Sequence, residues 1–236
     1  MRLGIMQPYF FPYIGYISLI KHTDLFILLD DVQFIRHGWI ERNRILKPGG
    51  GGWNYIAVPL KRHHRETPIR EIRINNEIEW KQKIKAQLVC YKRAPYYRQV
   101  TGMLEEVFAE EYQDITSLDQ MALRKTCEYL HIDTPIEVCS RMNLDFELAK
   151  YADEWALNIC KAIDGVDEYW NPIGGMTFFD RSKYSGAGID LKFMDMKLKE
   201  YGQFQGRFEK GLSILDVMMF EPAEHINEML EGYRLL

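Results

Sequence analysis

The amides, phenols and carboxylates that follow the first two apolar runs are the groups of this chain best placed to do chemistry. Residues 7–16 read Gln7-Pro8-Tyr9-Phe10-Phe11-Pro12-Tyr13-Ile14-Gly15-Tyr16. Two prolines stiffen this turn, and Gly15 admits close backbone approach. Gln7, Tyr9, Tyr13 and Tyr16 offer hydrogen bonds without charge, which suits hydroxyls, amides or a base edge. The competing reading is an aromatic-rich core turn. A second cluster is Asp30-Asp31-Val32-Gln33, continuing to Trp39 and then Arg42-Asn43-Arg44. Paired carboxylates at a strand end can orient a ribose, accept a proton or bind Mg²⁺. They can equally cap the strand. Arg42 and Arg44 share one face of an extended chain and suit phosphates, while Asn43 points to the other face.

Further along, His63 and His64 lie between Arg62 and Arg65. Adjacent histidines in an extended chain point apart, so a shared metal is not expected. His63 is a candidate general base, against the reading of a basic surface loop. In Asn171-Pro172-Ile173-Gly174-Gly175 the glycine amides can face an anion or an oxyanion. Ser213 has no histidine partner in any GxSxG context and reads as a helix N-cap. No HxxxH or HExxH arrangement occurs, and no metal site is predicted. The four cysteines, at 90, 127, 139 and 160, form no CxxC and read as reduced, mostly buried thiols.

These groups must be carried by strands and helices, and the apolar pattern says which. Runs at 2–6 and 25–29 flank a segment, 13–22, with apolar residues at 14, 17, 19 and 20. That is a βαβ unit with parallel strands. Further strands are expected at 54–59, 69–74, 136–140 and 189–194. Helical periodicity covers 80–91, 96–112, 118–130, 146–163, 213–220 and 223–233, with Ser117 and Gln120 as a capping box for the third of these. Gly49–Gly52 must be a loop; it lacks the GK[ST] ending of a phosphate-binding P-loop. Residues 169–175 read as another loop. The expected fold is α/β: a Rossmann-like, nucleotidyltransferase-like parallel sheet in an N-terminal part (1–78), a helical region (79–165), and a small α+β segment (166–236) packing back on the first.

Bulk properties exclude several classes. The 236 residues carry 30 basic and 34 acidic side chains, a net charge of −4, which argues against DNA binding by bulk charge. No apolar run approaches the ~18 residues of a membrane span, and the aromatic, proline-containing N-terminus does not read as a signal peptide. A cytoplasmic protein without membrane insertion is expected.

The ordered series MQPYFFPYIGY (6–16), DDVQF (30–34), GWIERNRI (38–45), YKRAPYY (91–97), NPIGG (171–175), FFD (178–180), GIDLKF (188–193), YGQF and LSILDVMMF (201–220) resembles the WbqC-like protein family over essentially the whole chain. That resemblance implies a place in surface-polysaccharide (O-antigen) biosynthesis and modification of an amino sugar. The expected activity is a transferase joining an acyl or aminoacyl group to the amine of a nucleotide-linked sugar. Its donor would be a thioester, a carrier protein or an aminoacyl-tRNA. Asp30, Asp31 or His63 would serve as base, and Gln7, Asn43, Gly174 and Gly175 as donors to the oxyanion. Tyr9, Tyr13, Tyr16, Gln33, Trp39, Arg42, Arg44 and Asn171 would hold the substrate. The stretch 4–34 is also similar to the start of pantothenate-synthetase-like nucleotidyltransferases, whose HxGH turn would correspond to Tyr13, Gly15 and Tyr16. Tyrosine cannot supply the cationic charge of those histidines, so ATP chemistry is the alternative expectation, and a non-catalytic scaffold is the other.

Overall fold

The computed structural model describes residues 1–49, 51–204 and 207–236. The apolar runs 2–6 and 25–29 become β1 (Arg2–Met6) and β2 (Leu25–Leu28), joined by helix α1 (Ile14–His22) and paired in parallel. Strands β5 (Ile136–Val138), β6 (Glu168–Pro172), β7 (Asp190–Met196) and β8 (Tyr233–Leu235) complete a six-stranded sheet in the order β5-β2-β1-β6-β7-β8. All pairings are parallel except β7 with β8. Counting only the strands of this sheet, the order is 3-2-1-4-5-6, that of a doubly wound Rossmann sheet. The separate hairpin of β3 (Arg42–Leu46) and β4 (Trp53–Ala57) turns through the glycine run, of which Gly50 lies outside the described residues.

Period-2 alternation sends β1 to both faces of the sheet. Leu3 and Ile5 join a core with Ile27, Tyr169, Leu191 and Phe193 under α5 (Glu154–Lys161) and α6 (Arg181–Gly186). The other face packs on α1, α2 (Trp80–Leu88), α3 (Tyr97–Ala109), α4 (Ile115–Tyr129), α7 (Ile214–Phe220) and α8 (Ala223–Leu230). Burial on both faces is why the parallel strands read as continuous apolar runs.

Several expected elements differ. Residues 69–74 are not a strand: 69–71 form a 3-10 turn. Ile69, Ile72 and Ile74 are all buried, and the Arg70 amide donates to the carbonyl of Asp30 instead of to a ladder. The helix expected over 146–163 starts only at Glu154, where the Glu154 carboxylate accepts from the amides of Lys150 and Tyr151. Helix α4 starts three residues earlier than its periodicity suggests, because Asp114, not Ser117, is the N-cap; its carboxylate accepts from the Ser117 amide at 2.8 Å. The terminal helix stops at Leu230 and the chain returns as β8. The expected loop at 169–175 is mostly strand β6, hidden by its large polar aromatics, followed by a 3-10 turn at 173–175.

Candidate functional site

In this sheet the chain passes from β1 to β2 and β5 on one side and then, after α5, crosses to β6 on the other side of β1, so the strand order reverses there and a crevice opens beyond the carboxyl ends of β1 and β6. A cleft of about 1130 Å³ lies there, bounded by Met6 at the end of β1 and Pro172 at the end of β6. Three structures enclose it: the turn 9–13, the hairpin strand β3 with Trp39 ahead of it, and a wall of residues from 198–204 and 207–211.

The turn is held rigidly. Phe11 has φ of +40°, a left-handed conformation that costs a non-glycine residue about 1–3 kcal/mol. Its carbonyl accepts from Asn43 Nδ2 at 2.9 Å and from Ser213 Oγ at 2.7 Å. Asn43 Nδ2 also donates to Phe10, the Phe10 amide donates to Trp39, and the Ile214 amide donates to Pro12. Both rings that follow the turn into the protein, Phe10 and Phe11, are fully buried. The flanking phenols Tyr9 and Tyr13 line the cleft instead, and burial raises both above the ordinary tyrosine range. They therefore stay protonated donors. A Cβ on Gly15 would lie 2.4 Å from the Tyr13 ring, so glycine there lets Tyr13 fold back over the start of α1.

Strand β3 delivers one of the cleft's cations. Asn43 and Ile45 face the core while Arg42 and Arg44 face outward, as the alternation of an extended strand requires. Arg44 enters the cleft, its guanidinium 5.2 Å from the Trp39 ring and 5.1 Å from the Trp53 ring, with Nη2 donating to the carbonyl of Gly211. Arg42 goes elsewhere. It stacks 4.2 Å over Tyr55 and donates to the carbonyls of His37 and Gly38.

The third wall is organised by Asp216, which is fully buried on α7. Its carboxylate accepts from the phenols of Tyr91 and Tyr201 and from Gln203 Nε2 at 2.8 Å. Burial raises its pKa and these three donors work against the rise. Gln203 in turn clamps Glu209 by both backbone groups, accepting from its amide at 2.9 Å and donating to its carbonyl at 3.1 Å. The wall thereby presents Glu200, Arg207, Phe208, Glu209 and Lys210 to the cleft.

Of the residues singled out in the sequence, the structure brings Tyr9, Tyr13, Trp39, Asn43 and Arg44 together around this cleft. Asn43 spends both amide protons on Phe10 and Phe11 and accepts from the Arg44 amide, so it shapes the turn and has no proton left for an oxyanion. Tyr16 is fully buried, with its phenol on the carbonyl of Gln7, and is a core residue. Asn171 is buried and donates to the Tyr169 phenol at 2.6 Å; Gly174 and Gly175 form the 3-10 turn beyond it.

The paired aspartates follow β2, on the side of β1 opposite to β6, and do not line the cleft. Asp30 is buried, and its carboxylate accepts from the Ser140 amide at 3.0 Å and hydroxyl at 2.7 Å, tying the ends of β2 and β5 together. Asp31 pairs with Arg70. Gln33 donates to the carbonyl of Arg65, and His63 packs on Phe34 with Nδ1 2.9 Å from the carbonyl of Lys61. These four serve as local ties and none lines the cleft.

Glu200, Arg207, Glu209 and Lys210 were not signalled by any motif; only their position beside YGQF could have marked them. Among the described residues, no group of three or more His, Cys, Asp or Glu is arranged to hold a metal ion. Nor is any helix long and apolar enough to cross a membrane.

The chain is 29% identical over 226 residues to the uncharacterized protein Rv1507c of Mycobacterium tuberculosis (strain ATCC 25618 / H37Rv), a match covering 94% of this chain and 95% of that one. No solved structure matches it. The family model described as the WbqC-like protein family matches residues 7–228, which takes in the turn, β3 and the described residues of the third wall. The chain belongs to the WbqC-like protein family.

Proposed function

We propose that this protein is a transferase that joins an acyl or aminoacyl group to the amine of a nucleotide-linked amino sugar, a reaction of surface-polysaccharide (O-antigen) biosynthesis in the cytoplasm. The observation that carries the reading is the mixed charge of the cleft at the β1–β6 crevice. Arg44, Arg207 and Lys210 face it together with Glu200 and Glu209, beside the aromatic groups Tyr9, Tyr13 and Trp39. Cations suit a diphosphate, carboxylates suit an ammonium, and aromatic faces suit a base or a sugar ring. A ligand bearing both charges is what such a lining selects.

The acyl donor is an activated ester or thioester: a coenzyme A or carrier-protein thioester, or an aminoacyl-tRNA. The sugar nitrogen forms the new C–N bond, the C–S or C–O bond of the donor breaks, and one proton passes to solvent for each ammonium consumed. Incubation of the protein with amino-sugar nucleotides and each donor class, followed by mass spectrometry, tests the reading. An N-acylated sugar nucleotide is the expected product. Release of pyrophosphate from ATP instead would favour nucleotidyl transfer.

A further inference from the structure

We propose that Glu209 is the catalytic carboxylate of this cleft, receiving the ammonium of the amino sugar and taking its proton; the assignment rests on the transferase reading above. The carboxylates named from the sequence do not reach the cleft, since Asp30 is consumed by Ser140 and Asp31 by Arg70. Glu200 and Glu209 are the carboxylates that line it. Glu200 is solvent-exposed, whereas Glu209 is half-buried, and its backbone amide and carbonyl are both gripped by the side chain of Gln203. Gln203 is itself fixed to Asp216, which Tyr91 and Tyr201 also hold. This relay runs from a buried anchor to the backbone of Glu209, one of the two cleft-lining acids, and so fixes the point from which its side chain departs. A group used for proton transfer needs such fixing, because a positioned base acts only within hydrogen-bond reach of its proton.

The rest of the cleft says where the amine would sit. Arg44 approaches the same segment from the other side, its Nη2 2.9 Å from the carbonyl of Gly211, two residues beyond Glu209. A phosphate on Arg44 and Lys210 would leave the sugar within reach of Glu209. In the reaction Glu209 takes one ammonium proton, and the freed nitrogen pair attacks the acyl carbon. As the donor's C–S or C–O bond breaks, the leaving sulfur or oxygen takes the second nitrogen proton, and Glu209 returns its own to solvent. Gln203 is a positioning residue in this scheme.

The test titrates wild type, Glu209→Gln and Glu209→Asp with UDP-, dTDP- and GDP-linked amino sugars, with their N-acetylated counterparts and with the bare nucleoside diphosphates. The glutamine variant should bind the amino forms about tenfold or more weakly, the scale of one charged hydrogen bond, and the other ligands unchanged. Glu209→Asp should recover part of the loss. Turnover of the amino forms at saturating ligand should fall about a hundredfold or more in Glu209→Gln and recover in part in Glu209→Asp. Wild-type preference for amino over N-acetylated ligands that persists in Glu209→Gln would overturn the assignment alone. Failure of the wild type to bind any of these nucleotides would overturn the transferase reading and this assignment with it.

Discussion

Asn43 and Ser213 converge on one atom, the carbonyl oxygen of Phe11, at 2.9 and 2.7 Å. One comes from the β3 hairpin and the other from the N-cap of α7, so the turn that starts the cleft is pinned by two distant parts of the chain. The pinning compensates the left-handed backbone of Phe11. Asn43→Ala removes two buried donors and should cost about 2–3 kcal/mol; Ser213→Ala, which also loses the cap to Leu215, should cost about 1–2 kcal/mol. Because they share an acceptor, the double variant should not be additive. Chemical denaturation of the three variants checks this, and a loss under about 0.5 kcal/mol for Asn43→Ala would contradict the account.

The twin glycines of 174–175 are not equivalent. A Cβ on Gly175 would lie 2.2 Å from Asn171 Oδ1 and 3.0 Å from the Phe179 ring, while one on Gly174 meets nothing within 4 Å. Gly175→Ala should lower stability by about 1–3 kcal/mol and Gly174→Ala by less than about 0.5 kcal/mol. Thermal melts of the pair separate the two, and equal melting temperatures would refute the distinction.

Asp119 gives stability a pH dependence. It is fully buried on α4, neither carboxylate oxygen has a partner, and burial, with Glu41 and Asp114 nearby, raises its pKa well above the ordinary carboxylate range. The folded pKa lies above the unfolded one, so the group's full contribution is present below the unfolded value, near about 4, and is lost as pH rises towards the folded pKa. Asp119→Asn cannot ionise. Its stability relative to wild type should therefore climb with pH above that point, by up to about 1.4 kcal/mol per unit, and level off once the folded pKa is passed. A pH-independent difference between the two proteins would contradict it.

The thiols should be inert in the native state. Cys127, Cys139 and Cys160 are buried and pushed up to about 12, and half-buried Cys90 to about 11. Since the thiolate is the nucleophile, iodoacetamide at pH 8 should modify all four only after unfolding. Rapid labelling of any of them in the native protein would contradict this.

Where one interaction dominates, the fold is legible in the sequence. The β1–α1–β2 unit is plain because both faces of its strands are apolar. Ser213 is plain as a cap because few other roles fit a serine ahead of an apolar helix, and its hydroxyl does accept from Leu215. Strand β3 is masked by its arginines, although Asn43 and Ile45 alternate with them on the buried face. Residues 69–74 mimic a strand because Ile72 and Ile74 alternate with charged Arg73, whereas the three-residue step from Ile69 to Ile72 is the span of the turn that forms there. The site divides the same way. Tyr9, Tyr13 and Arg44 follow from local pattern, but the fate of Asp30 depends on Ser140, a partner brought up by β5. The backbone of Glu209 is held by Gln203, itself held by Asp216, contacts that no spacing encodes.

Binding of a nucleotide-linked amino sugar in the β1–β6 cleft should depend on Arg44. Isothermal titration of wild type, Arg44→Ala and Arg42→Ala with UDP-, dTDP- and GDP-linked amino sugars tests it most directly. Arg44 faces the cleft, whereas Arg42 lies on Tyr55 with its donors used by His37 and Gly38. Arg44→Ala should lose about 1.5–3 kcal/mol of binding free energy, with Arg42→Ala binding like the wild type. Unchanged affinity in Arg44→Ala, or an equal loss in both variants, would contradict it.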